Sequence, residues 1–93
     1  MAEFRVAIPT QLRSYTGDAA EVAITVGAAA PRLSDVFAAL DEAYPGIRFR
    51  LVDEAGRVRP HVQVFAGGRI ERDPAATLAP GTAIMIVGAL SGG

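Results

Sequence analysis

From Glu3 to Ile8 apolar and polar positions alternate, with Phe4, Val6 and Ile8 set against Glu3, Arg5 and Ala7. A period of two predicts a half-buried strand, and Pro9, which has no N–H, marks its end or a bulge. Thr10 to Asp18 reads as a turn punctuated by Gly17-Asp18. Val22, Ile24 and Val26 alternate in the same way, which predicts a second strand paired with the first as a hairpin. The period then changes. Leu33, Val36, Phe37, Leu40 and Tyr44 fall on one face of an amphipathic helix. Pro31 suits its first turn and Pro45-Gly46 its stop, so the helix is expected over 31–44. Burying its stripe contributes roughly 1.5–3 kcal/mol per large side chain, which makes it the expected centre of the core. Ile47 to Val52 fits a strand or a helical turn equally well. Val58 to Ala66 reads as a strand, with Gly67-Gly68 as a hairpin signal and Arg69–Glu71 as a short return strand. A short piece carrying Leu78 lies between the Asp73-Pro74 and Pro80-Gly81 turns, and a helical turn fits it. Thr82 to Val87 is the most apolar strand and is expected at the centre of the sheet.

The order is strand, strand, helix, strand, short strand, strand. A hairpin, a helix crossing the sheet and a late strand in its middle describe an α+β fold of the β-grasp kind. The expected architecture is a mixed sheet of four to five strands packed on one main helix. The predicted division is a β-grasp domain over 1–87 and a flexible C-terminal tail over 88–93.

Composition narrows the chemistry. The 93 residues are 51% hydrophobic and 20% charged, which fits one folded domain rather than a disordered chain. There is no cysteine, hence no disulfide, thiolate ligand or thiol nucleophile. A single histidine does not make a zinc site, and no metal site is expected. All nine basic residues are arginine, against ten acidic ones, for a net charge of -1; nucleic acid is therefore not an expected partner. Without lysine, Schiff-base chemistry has no internal amine. Met1–Arg5 contains no apolar run, so no signal peptide is expected. The apolar stretch from Ala83 to Leu90 is too short to span a bilayer. A cytoplasmic protein is expected.

Five features remain as candidate chemistry. Six residues follow the last predicted strand; extended, they reach about 20 Å at about 3.3 Å per residue. Gly92 and Gly93 lack a Cβ and can enter a narrow channel, although a chain end can also simply fray. Arg48, Arg50, Arg57 and Arg59 flank Asp53 and Glu54; they read as a patch for phosphate or a partner, or as self-paired surface charge. His61 has no nucleophile at a meaningful spacing and reads as a strand-edge residue. The glycines form no phosphate loop. Finally, if Ile84 and Ile86 face the helix, Ala83, Met85 and Val87 face outward with Ala7 and Pro9, a candidate docking patch. The reverse alternation places Met85 in the core.

The segments in this order resemble the ThiS/MoaD family of small ubiquitin-like sulfur carriers. The resemblance rests on Val6-Ala-Ile-Pro-Thr-Gln-Leu-Arg13, the Gly17 turn, Leu33-Ser-Asp-Val-Phe-Ala-Ala-Leu40 and Tyr44-Pro-Gly-Ile47. It also uses His61-Val-Gln-Val-Phe65, Leu78…Pro80-Gly81-Thr82 and Gly92-Gly93. It implies a non-enzymatic carrier that binds no cofactor. A partner related to ubiquitin-activating enzymes, an adenylyltransferase/sulfurtransferase, would use ATP and a sulfur donor to convert Gly93 to a thiocarboxylate. A sulfur-accepting synthase would then take the sulfur. Gly92, Ser91 and Leu90 would thread the partner's channel, and Met85, Val87 and Pro9 would dock it. The extra Arg48–Arg59 region looks more like MoaD-type or CysO-type carriers than like the usually shorter ThiS type, and the Ile-Pro-Thr and Tyr-Pro-Gly-Ile stretches favour the CysO-like branch, serving cysteine or a specialised metabolite. The alternatives are a MoaD-type small subunit of molybdopterin synthase, a ubiquitin-like protein modifier, and a binding module. Val87-Gly88-Ala89-Leu90-Ser91 lacks the prolines that often precede Gly-Gly in such tails.

Overall fold

The N-terminal hairpin carries the alternation expected of it. In a computed structural model, which describes residues 1–88, β1 (Ala2–Ala7) and β2 (Glu21–Val26) pair antiparallel. Ala2 lies opposite Val26 and Ala7 opposite Glu21, so Phe4, Val6, Val22, Ile24 and Val26 share the buried face. The connection makes a 3-10 turn at Thr10–Leu12 and reverses at Gly17 (φ 62°) and Asp18 (φ 70°). Aspartate is one of the few side chains that tolerates this left-handed backbone. Buried Thr16 is satisfied within the same turn, its hydroxyl donating to the Ala19 carbonyl at 2.9 Å.

The main helix, α1 (Leu33–Ala43), is shorter at each end than 31–44. Pro31 lies outside it, with its carbonyl accepting the Leu78 N–H at 2.8 Å. Arg32 is the extended cap, and its N–H donates to the Asp35 carboxylate at 2.8 Å. Leu33, Val36, Phe37 and Leu40 are buried, as the period of the stripe requires. The segment with two readings is a helix, α2 (Ile47–Leu51). Ile47 and Leu51 stand one turn apart and are both fully buried. Asp41 on α1 ties the two helices together, its Oδ1 accepting the N–H groups of Gly46 (2.9 Å) and Arg48 (3.1 Å).

The next strand begins later than expected. β3 covers Val62–Ala66, not 58–66. Val58 instead forms an isolated bridge with Val52, because Pro60 has no N–H to donate to a ladder. Gly67 (φ 59°) and Gly68 (φ 83°) make the two-residue turn into β4 (Arg69–Ile70), with both residues in the backbone region where glycine is favoured. Residues 73–79 are turns and a bridge at Thr77 rather than a helical piece, and Leu78 is buried. Arg72 holds the approach to β3. It donates to the carbonyls of Val62 (2.7 Å), Val58 (3.0 Å) and Arg59 (3.1 Å) and to Gln63 Oε1 (3.1 Å).

β5 (Ile84–Gly88) starts two residues after the expected Thr82 and runs one past Val87: Gly88, expected in the tail, pairs with Val62. The sheet order is β2-β1-β5-β3-β4. The last strand is therefore central, parallel to β1 and antiparallel to β3. This is the mixed five-stranded sheet and main helix expected of the β-grasp. Ile84 and Ile86 join Phe4, Val64, Phe37 and Leu40 in the core between sheet and helices.

Candidate functional site

The alternation of β5 resolves in favour of an outward Met85. Ile84 and Ile86 are each 2% exposed, whereas Met85 is 48% and Val87 39% exposed. The helices cover one face of the sheet, so the other is free to carry these side chains. Registers place Glu21, Ala7, Met85, Phe65 and Ile70 opposite one another in one row across the sheet. Ile70 is 58% exposed and Phe65 half-buried. The row is thus apolar from β1 to β4, with Val87 one step further along β5 beside Gln63. Pro9, half-buried, shares a shallow depression with Met85 and Val87. The three predicted docking residues lie together. Phe65 and Ile70 extend the patch and were not singled out from sequence; the alternation of Val62-Gln-Val-Phe65 was the available signal.

A groove opens beside the end of β5. It has a volume of about 440 Å³ and is lined by Pro9, Gln11, Tyr15, Arg50, His61 and Gly88, among others. The Gln11 side chain packs against Gly88 so closely that a Cβ there would stand 3.0 Å from its Nε2. A side chain at 88 would therefore need the flexible end of Gln11 to move aside. Arg50 donates from Nε to the Tyr15 hydroxyl at 2.9 Å, and this contact raises its pKa above the ordinary value. His61 is exposed and makes no side-chain hydrogen bond among the described residues. The predicted tail residues Leu90, Ser91, Gly92 and Gly93 lie outside the described residues.

The arginine cluster is self-paired in part: among the described residues Arg57 is the one member that meets a carboxylate, Asp53, at 3.4 Å. Asp53 Oδ1 also accepts the N–H groups of Arg57 (3.0 Å) and Ala55 (2.9 Å). The bond from the Arg57 N–H is the main cause that holds Asp53 below its ordinary value of 3.8. Desolvation opposes it, and the Ala55 bond and the Arg57 charge reinforce it. A depressed carboxylate stabilises the fold above its unfolded value, and that contribution is lost as pH falls through the folded value. The 53–57 turn is therefore expected to loosen only below pH 3.8. In a carbon-detected NMR titration the Asp53 carboxyl should have its midpoint below that value, with faster Ala55 and Arg57 amide exchange following it. A midpoint at or above the ordinary value would contradict this.

No cluster of three or more acidic or histidine side chains among the described residues could hold a metal ion. Among them, too, no helix is long and apolar enough to cross a membrane.

The fold has close structural counterparts. A structure of the Amycolatopsis orientalis BexX/CysO complex contains a chain 25% identical to this one, at a TM-score of 0.83 over 97% of this chain and 99% of that one. CysO of Mycobacterium tuberculosis is 28% identical at a TM-score of 0.79, covering 94% and 99%. The chain is a ubiquitin-like β-grasp protein. SAMP1 of Haloferax volcanii, 21% identical, repeats the fold at a TM-score of 0.82 over 98% of this chain and 99% of that one. No protein-family model and no curated protein matches the chain. The resemblance to ThiS/MoaD-type carriers and modifiers holds for the β-grasp architecture and over nearly the whole length. One of these neighbours is seen in a complex with BexX, and a further structure with the same fold is that of the small archaeal modifier protein 1 of Haloferax volcanii.

Proposed function

We propose that this β-grasp protein is a sulfur carrier whose reactive group is the carboxylate of Gly93. The observation that supports the reading best is the full-length likeness to CysO at 28% identity. An apolar row on the open sheet face stands beside the strand that leads to Gly92-Gly93. In the proposed chemistry the Gly93 carboxylate attacks the α-phosphorus of ATP on an activating enzyme and displaces pyrophosphate. Hydrosulfide, or its equivalent on a donor, adds to the acyl carbon and expels AMP. The thiocarboxylate that remains passes its sulfur to an acceptor enzyme in cysteine or specialised-metabolite synthesis. The carrier's own residues bind and present: Gly92, Ser91 and Leu90 thread the partner's channel, and Met85, Val87 and Pro9 dock its surface. ATP and the sulfur donor belong to the partner.

Intact-mass measurement tests this. With ATP, a CysO- or MoaD-type activating enzyme and sulfide, the protein should gain the mass of one sulfur in place of one oxygen. No gain across several such activators would refute it. The docking surface has its own test. Met85→Arg places a charge in the middle of the apolar row, and because Met85 is half exposed the domain should stay folded. Affinity for the activating enzyme should fall at least about tenfold while the circular dichroism stays unchanged. Undiminished affinity would move the docking site elsewhere.

A further inference from the structure

We propose that the groove beside the end of β5 is a docking site for the chain's own last five residues, 89–93, with the terminal carboxylate held by Arg50. The inference rests on the carrier reading only in taking Gly93 as the reactive end of the chain, and its test involves no sulfur chemistry.

Connectivity places the groove at the root of the tail. β5 lies between β1 and β3 in the sheet, and its last residue, Gly88, pairs with Val62. The segment that continues β1, from Pro9 to Tyr15, and His61, which precedes β3, both line the groove, as does Gly88. The last five residues therefore start at the edge of the groove and need not search for it.

Charge decides what fits inside. Arg50 and, when protonated, His61 bring positive charge to the lining, and among the described residues no carboxylate lines it. Arg50 forms no ion pair among the described residues. Its Nε donates to the Tyr15 hydroxyl at 2.9 Å. That bond fixes the guanidinium and leaves its two terminal nitrogens for a carboxylate, which the planar fork suits. The Tyr15 hydroxyl accepts from Arg50 and has its own proton left to donate. Pro9 and Leu12 add an apolar wall.

Sequence and reach select the tail as the occupant. Residues 89–93 read Ala-Leu-Ser-Gly-Gly, so the tail's one charge is its terminal carboxylate: one anion for one arginine. Leu90 is its one large apolar side chain and matches the Pro9 and Leu12 wall. Five residues extend about 17 Å at about 3.3 Å each, enough to turn back into a groove that they already adjoin. Gly92 and Gly93 place no Cβ in that turn. Tethering so short a segment at the groove gives it an effective concentration of about a millimolar or more, against which a separate anion must compete. A carboxylate seated on Arg50 is not presented to an activating enzyme. Docking thus withholds the reactive end until a partner draws it out.

The test compares, by NMR, the isotopically labelled full chain with the same chain carrying a C-terminal amide at Gly93. Neither amidation nor a change at exposed Arg50 touches the core. The acid chain should show nuclear Overhauser contacts between the Leu90 methyls and Leu12 or Tyr15, at an intensity independent of protein concentration. Amidation should shift the Arg50 and Tyr15 signals and lower the docking equilibrium constant by about tenfold. Arg50→Gln in the acid chain should lower it equally, whereas Arg48→Gln, outside the groove lining, should leave it unchanged. Inorganic phosphate at millimolar concentration should not reproduce the acid chain's Arg50 signals in the amidated chain. Signals indifferent to amidation, contacts that grow with protein concentration, an undiminished effect in Arg50→Gln, or reproduction by phosphate would each overturn the proposal. A chain that docks its tail and yet gains no sulfur refutes the carrier reading alone, and one that gains sulfur without docking refutes this inference alone.

Discussion

Deleting Gly93 is expected to abolish the mass gain while leaving the domain folded. The residues that build the core run from Ala2 to Ile86, so the deletion removes nothing from it. The shortened chain still ends in a glycine carboxylate, that of Gly92, and so the chemistry is not lost by type. It is lost by reach. One residue of extended chain is about 3.3–3.6 Å, whereas a nucleophile must lie about 3–3.5 Å from its target, and a misplacement of about 1 Å can cost about a hundredfold. Thiocarboxylate formation should therefore fall by at least about a hundredfold. Gly93→Ala keeps the length and adds one methyl, so it should retain more activity than the deletion. A deletion variant that still gains sulfur would remove Gly93 from the mechanism.

Phe37→Ala should be the most damaging single substitution in α1. The ring is 1% exposed, between the helix and the sheet. Removing a buried phenylalanine typically costs about 3–5 kcal/mol, a large share of the roughly 5–15 kcal/mol that holds a domain together. Phe49→Ala is the same substitution twelve residues along. With that ring mostly in water, it should cost under about 1 kcal/mol, chiefly the contact with Arg59. Urea unfolding of the two variants side by side measures the difference. Similar midpoints would mean that the packing of α1 described here is wrong.

Much of the fold was legible because two periods were clean. The alternation in β1, β2 and β5 and the 3–4 spacing in α1 each allow one buried face, so element and orientation follow together. That is why the outward position of Met85 could be derived once Ile84 and Ile86 were assigned to the core. The 47–51 stretch was illegible for a specific reason. Ile47, Phe49 and Leu51 satisfy a strand's alternation, while Ile47 and Leu51 alone satisfy a helical turn. Only the burial of Phe49 distinguishes the two, and it is exposed. The reach of the docking row depended on register: Phe65 lies opposite Met85, and Ile70 opposite Phe65, only because of how β3 pairs with β5 and β4. Arg72 was beyond any periodic argument. Its four acceptors lie 9 to 14 residues away and are brought to one guanidinium by the path of the chain.

The central place of β5 bears on how the protein is made. Until residues 84–88 emerge during synthesis, the hairpin of β1 and β2 and that of β3 and β4 have no strand between them. Among the described residues their only link in the sheet is β5, the last of the five strands, and pairing that must wait for distant segments is slow. A chain broken off before Ile84 is left with two separate hairpins, each with an open edge exposed to proteases and aggregation. A molecule that reaches the native sheet has therefore been translated at least through residue 88.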